Sequence, residues 1–252
     1  MVLVAAFTLL VAAVAWAVQL LLGYGIAGLV IALVIAGAGS FVAYWKSEAV
    51  ALRIAHARPA DPDQYARLHN VVEGLCIADG LPKPRVYVVD DPAPNAFATG
   101  RNPRHAAITV TTGLLDKMNR IELEGVLTHE LSHIKNYDVL VSTLAVTLVG
   151  LPSLVLTPVF APALQFAVSR RRESLADVSG VALTRYPPGL ISALEKLKTD
   201  KTVVHFNSRA TAHLWIESPL AREPGGGPFA RFNRLFDTHP PLDERIKVLK
   251  EL

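Results

Sequence analysis

Charge and cysteine are both scarce in this chain. Asp, Glu, Lys and Arg make up only 19% of its 252 residues, against 51% hydrophobic, and the mean hydropathy is +0.34. That balance excludes an ordinary soluble domain and points to a membrane protein with a soluble part. The net charge is a modest +3, and no basic stripe interleaved with aromatics runs along the chain. Nucleic acid is therefore excluded as a partner. Cys76 is the single cysteine, so no internal disulfide forms and the chain suits a reducing compartment. Its neighbours Val71, Val72, Leu75 and Ile77 predict a buried thiol, not a nucleophile. No repeat recurs at a fixed period. No Lys or Arg precedes the first apolar run, which argues against a cleaved secretory signal.

Long apolar runs are what the chain has instead. Residues 2–22 are apolar apart from Gln19, long enough as a helix to cross the roughly 30 Å of a bilayer core. Gly23-Tyr24-Gly25 breaks the run, and a second extends from Ile26 to Trp45, closed by Tyr44 and Trp45 at an interfacial position. Residues 1–45 are expected to form a transmembrane helical hairpin. Lys46, Arg53, His56 and Arg58 follow it. The positive-inside rule then places residues 46–252 on the cytoplasmic side of the cell (plasma) membrane, as part of a multi-pass protein in contact with the lipid bilayer.

From Asp61 the character changes. Asp61-Pro62 reads as a helix cap with proline in the first turn, and the helix runs to about Asp79 before Gly80 and Pro82. Arg85–Asp90 and Ala106–Thr111 read as strands of a small sheet. Between them, Asn95, Ala96, Phe97 and Ala98 offer an edge on which a substrate peptide pairs as an extra strand; the alternative is an ordinary loop. Asn119 with Glu122 forms a capping box, and nothing in the helix it opens stops the run before Val149. Apolar residues continue over 139–168, interrupted by Pro152, Pro158 and Pro162, and end at Arg170-Arg171-Arg172. This stretch is expected to dip into the membrane and return, with a buried soluble hairpin as the alternative. Helices over 173–186 and 189–198, an irregular stretch over 200–230 and a final amphipathic helix complete the chain. In the irregular stretch, Trp215, His205 and His213 read as surface or lid packing and not as a metal site. The expected class is mainly α with a small β-sheet (α+β), a helical hairpin joined to a second domain.

Chemistry concentrates at His129-Glu130-Leu131-Ser132-His133. On a helix, histidines at i and i+4 share one face and can ligate one Zn²⁺, while Glu130, about 100° round, stands beside a water rather than on the metal, where a general base belongs. A catalytic zinc takes three protein ligands. His205, His213, His239 and the later carboxylates are all candidates for the third. Glu173 is the best placed, with Asp177 one turn on as an acceptor for a ligating histidine's free ring N–H. The alternative for this pair is a solvated helix face beside Arg170–Arg172.

These residues resemble the membrane-anchored gluzincin metallopeptidases of the HtpX type, related to the CAAX prenyl proteases. The resemblance rests on the two N-terminal runs, Asn95–Gly100, His129–His133, Glu173–Asp177, Thr238-His239-Pro240-Pro241 and Glu244-Arg245, in order along nearly the whole chain. It implies a zincin-like metallopeptidase domain with one zinc per chain held by His129, His133 and Glu173, Glu130 as catalytic base, Asp177 behind a ligand, and His239 near the scissile carbonyl. The chain departs from that pattern in having about thirty apolar residues between the histidines and Glu173, where HtpX proteases carry two recognisable spans. The function expected is hydrolysis of peptide bonds in membrane or misfolded polypeptides. A dedicated processing protease for one membrane or lipidated substrate is the second reading. A non-catalytic protein with a structural zinc is the third, although structural sites are normally closed by four ligands and need no Glu between the histidines.

Overall fold

The computed structural model describes residues 16, 23, 25–143, 170–202, 204–205, 214–217 and 240–252. The first expected span (apart from Trp16), most of the 139–168 stretch, His213 and His239 lie outside the described residues. Two compact units divide the chain, Met1–Ser47 and Glu48–Leu252.

Helix α1, Gly25–Ile54, continues past the expected end at Trp45 and crosses the boundary between the units. In the first unit Ile31, Val34 and Phe41 are exposed on it. Among the described residues no helix is long and apolar enough to cross a membrane, and the two-span hairpin stays a reading of the sequence.

In the second unit the elements run β1 (Arg58–Pro59), α2 (Ala66–Asp79), β2 (Arg85–Val89), β3 (Ala96–Asn102), β4 (His105–Thr111), α3 (Thr112–Lys117), α4 (Arg120–Lys135), α5 (Arg170–Thr184), α6 (Pro187–Thr199) and α7 (Leu242–Lys250). Mainly helical with a small mixed sheet, this is the class the sequence predicts. The sheet order is β1-β2-β4-β3, with β2 and β4 parallel and the outer pairs antiparallel. Of Asn95–Ala98, for which the sequence leaves a pairing edge and a loop both open, Ala96, Phe97 and Ala98 lie on β3 at the sheet's edge and Asn95 just precedes it. Alternation explains this: Ala96 and Ala98 join Val88, Ile108, Val110, Leu127 and Leu131 in the main core. Phe97 turns to the opposite face, with Val89, Ala107 and the end of α1 at Ala51, Leu52 and Ala55. Trp215 is also there, fully buried and edge-on to Phe97 at 4.5 Å between ring centroids, so it is a core residue and not surface packing.

Two helix boundaries differ from expectation. Asp61 caps a turn, its Oδ1 accepting from the Asp63 and Gln64 N–H groups at 2.9 and 3.0 Å, and regular helix starts only at Ala66. The more consequential difference is in α4, which does not run on to Val149. It ends at Lys135, capped by Asn136, and Tyr137 turns the chain at φ +61°. Helix resumes over 138–143. The other end of α4 is as expected, with Asn119 and Glu122 exchanging capping bonds of 2.8 and 2.9 Å. Glu122 also accepts from Ser192 Oγ at 2.6 Å and Lys196 Nζ at 2.7 Å, fixing α4 to α6. Cys76 is buried, which pushes its thiol up to about 11.

Candidate metal centre

Helices α4 and α5 build the centre by packing closely. Gly180 makes that possible, since a Cβ there would stand 3.1 Å from Thr128 Oγ1 and 3.2 Å from His129 N. One face of α5 carries Glu173, Asp177 and Gly180 at helical spacing, and it lies against the face of α4 that carries His129 and His133. All four of these titratable side chains are largely withdrawn from solvent; His133 is the most open, at 13%.

The ring nitrogens sort themselves. His129 Nδ1 lies 2.8 Å from Asp177 Oδ1, and His133 Nδ1 lies 3.1 Å from Asp138 Oδ2. An ionised carboxylate only accepts, so each Nδ1 carries its proton and each Nε2 presents a lone pair. Those two Nε2 atoms face each other at 3.1 Å, and the Glu173 oxygens stand 3.6 Å from His129 Nε2 and 3.4 Å from His133 Nε2. The three donors lie within 4.8 Å of one another. Three electron-pair donors converging on one point repel unless a cation sits among them, and two imidazoles with one carboxylate are a donor set that suits zinc. The residues therefore fit the ion. Among the described residues no other cluster of this kind is found. His205 is elsewhere, with its backbone N–H on the buried Asp91 at 2.6 Å.

Charge around the centre is balanced through Arg245. Its Nε and Nη2 donate to the two Asp177 oxygens at 2.9 and 2.7 Å, and Nη1 donates to the Ile216 carbonyl at 3.3 Å. Nη2 also stands 3.2 Å from His129 Nδ1, a contact between two donors that the shared carboxylate bridges. Burial works to raise the Asp177 carboxyl, but Arg245 and His129 outweigh it and hold it well below the usual carboxylate range. Burial and Arg245 favour the neutral His129 ring, yet Asp177 and Glu173 prevail and raise it to about 9. The two carboxylates thus favour positive charge at the ring, which a cation at Nε2 would supply in place of a proton.

The structure thus brings together His129, His133, Glu173 and Asp177, with Glu130 buried on the same helix turn. Sequence reasoning missed Asp138. On an unbroken helix, five residues place it about 140° round from His133, and only the turn at Tyr137 returns it. Arg245 stood among the motif residues without a role; its position four residues after Pro241 carries no signal of burial.

At the sheet edge, the outward groups of β3 are those of 96, 98 and 100. The Ala96 carbonyl accepts from Ile216 N–H at 2.9 Å, and Gly100 N–H donates to Thr143 Oγ1 at 3.0 Å. Ala98 lies between them. Asn95 spends its side chain on the Glu217 carbonyl, at 2.8 Å, and on Ala96 N–H, at 3.0 Å.

Comparison with known proteins agrees with this geometry. Residues 62–252 match Peptidase family M48. A protein named Protease HtpX homolog from Dictyoglomus turgidum is 41% identical across 88% of this chain and 81% of its own length. Proteins of the same name from Thermoanaerobacter pseudethanolicus and Streptococcus pneumoniae are 37% and 39% identical, each across 98% of this chain. With its family match reaching over the whole described centre, the chain belongs to peptidase family M48 and is a metalloprotease similar to the HtpX proteases.

Proposed function

We propose that this protein is a zinc endopeptidase that hydrolyses peptide bonds of membrane or misfolded proteins at the cytoplasmic face of the cell membrane. The observation that carries the reading is the convergence of His129 Nε2, His133 Nε2 and Glu173 on one point, with both rings turned there by carboxylates at their far nitrogens. These three residues would hold the zinc ion, which would supply Lewis acidity to the scissile carbonyl and to the attacking water. Glu130 is the general base that takes the proton of that water and passes it to the leaving amine. Asp177, held by Arg245, fixes the His129 tautomer and keeps its lone pair on the metal side. His239 is proposed, on family resemblance, as the donor to the developing oxyanion.

A substrate peptide pairs along β3. Of the stretch 95–98, the side chains of Asn95 and Phe97 serve the fold, so the contact to substrate falls to the backbone of Ala98. The membrane part of the reading rests on the sequence: a transmembrane hairpin over 1–45, a catalytic domain over 46–252 and a membrane-associated hairpin over 139–168. Exposed Ile31, Val34 and Phe41 on α1 support the first. The contact between Arg172 Nη2 and the Asn136 carbonyl, at 3.1 Å, supports a segment that leaves and returns at one place.

The test is Glu130→Gln in the purified chain. Zinc content and fold are expected to persist while cleavage of an unfolded membrane substrate, or of the chain itself, is lost. Unchanged proteolysis would sink the mechanism.

A further inference from the structure

Behind each histidine of the metal centre stands a carboxylate, and behind each carboxylate stands an arginine. The His129 branch is His129–Asp177–Arg245, buried throughout. The His133 branch is His133–Asp138–Arg172. The second branch differs in one respect that matters. Its arginine immediately precedes Glu173, the third donor, and its carboxylate follows the turn at Asn136 and Tyr137 that ends the histidine helix. Arg172 bonds Asp138 Oδ1 through Nε and donates to the Asn136 carbonyl through Nη2. One guanidinium therefore pins the C-terminal cap of α4 and the first turn of α5, on either side of residues 144–169.

We propose that Arg172 is a positioning residue of the metal centre: it aims His133 through Asp138 and makes the three-donor site depend on the two ends of the apolar stretch being joined. The argument rests on the reading of His129, His133 and Glu173 as metal ligands. The cationic fork has a second reason to sit there, because the α4 carbonyls at Ser132 and Ile134 already serve the Asn136 and Tyr137 N–H groups. The Asn136 carbonyl next to them, at the negative end of the helix dipole, is left for a donor from outside. A lysine could meet Asp138 or Asn136 but cannot span both with fixed geometry, since it lacks the planar fork. Without Arg172, Asp138 keeps its tether to His133 only through a turn with a left-handed tyrosine, and α5 loses its only described bond from this position to the end of α4. His133 then points its Nε2 less well, and Glu173 drifts from it. The consequence falls on metal affinity first and on turnover by metal-loaded enzyme less.

The experiment compares zinc binding by the full chain and by Arg172→Ala, Arg172→Lys, Asp138→Asn and the Arg172→Ala/Asp138→Asn double variant. Competition with a chromophoric chelator reads the affinity, and the exposed neighbour Arg171→Ala serves as control. Removing a partner behind a metal ligand typically costs on the order of 10–100-fold in affinity. That loss is expected for Arg172→Ala and Asp138→Asn, with a smaller loss for Arg172→Lys and none for Arg171→Ala. The double variant should lose clearly less than the two single losses combined, because much of what Arg172 does passes through Asp138. Circular dichroism of the metal-free variants separates mispositioning from unfolding; if Arg172→Ala unfolds, the comparison passes to Arg172→Lys, whose affinity must still fall. Affinity within about twofold of the parent for both arginine variants, or additive losses in the double variant, would overturn the inference alone. Failure of the parent chain to take up zinc would instead overturn the metal reading on which it rests.

Discussion

Arg245 grips both oxygens of Asp177, at 2.9 and 2.7 Å, with the two side chains almost wholly removed from solvent. The pair neutralises a carboxylate that would otherwise stand uncompensated beside the metal centre, and it joins α7 to α5. Breaking a buried pair from one side leaves a bare charge and costs about 3–5 kcal/mol. Arg245→Met is expected to lose that much in denaturant-induced unfolding. A loss under about 1 kcal/mol would mean that water reaches Asp177.

The third donor separates from its rivals by substitution. Glu173→Ala is expected to lower zinc occupancy well below one per chain by elemental analysis, because two imidazoles alone leave the ion under-coordinated. His205→Ala should leave occupancy intact, since that ring faces Asp91 and not the centre. Equal losses in the two variants would argue against Glu173 as a ligand.

Glycine sets the closeness of the helices. A Cβ at Gly125 would meet the Leu190 backbone N at 2.7 Å and Cα at 2.8 Å, whereas at Gly180 the nearest atoms are at 3.1 and 3.2 Å. Replacing a helical glycine with alanine gains about 1 kcal/mol of helix propensity, while overpacking costs about 1–3 kcal/mol. Gly125→Ala, which collides with backbone, should be clearly destabilising in a thermal melt. Gly180→Ala should be milder, with its effect concentrated on zinc binding because the α4–α5 spacing at His129 changes. The reverse order of stabilities would refute this account of the packing.

Glu122 gives the fold a pH dependence of known sign. Burial works to raise its carboxyl, but Lys196, Ser192 and the Asn119 backbone N–H hold it below its ordinary value. A carboxyl whose folded value is depressed contributes stability that is fully present above its unfolded value and is lost as the pH falls through the folded one. Glu122→Gln should therefore be less stable than the parent at neutral pH. The gap between them should narrow as denaturant melts are moved from about pH 6 to about pH 3. A gap independent of pH would show that the capping box works without its charge.

Local chemistry was enough for much of this protein. The motif helix with its Asn119–Glu122 box, the end of α2 at Gly80, the strands of β2 and β4, the burial of Cys76 and the shared face of His129 and His133 all follow from spacing, caps and residue type, which act over one or two helical turns. Trp215 in the core, the halt of α4 at Lys135, the place of Asp138 beside His133 and the burial of Arg245 behind Asp177 do not. Each depends on segments far apart in the chain, or on a single left-handed residue such as Tyr137 whose conformation its neighbours do not announce. By itself the sequence determined that His129 and His133 share a face with Glu130 beside it, because a helix fixes which side chains lie together. Only the tertiary structure decided which carboxylate stands behind each histidine and which arginine holds it, because buried charges settle where packing brings their partners within hydrogen-bond reach.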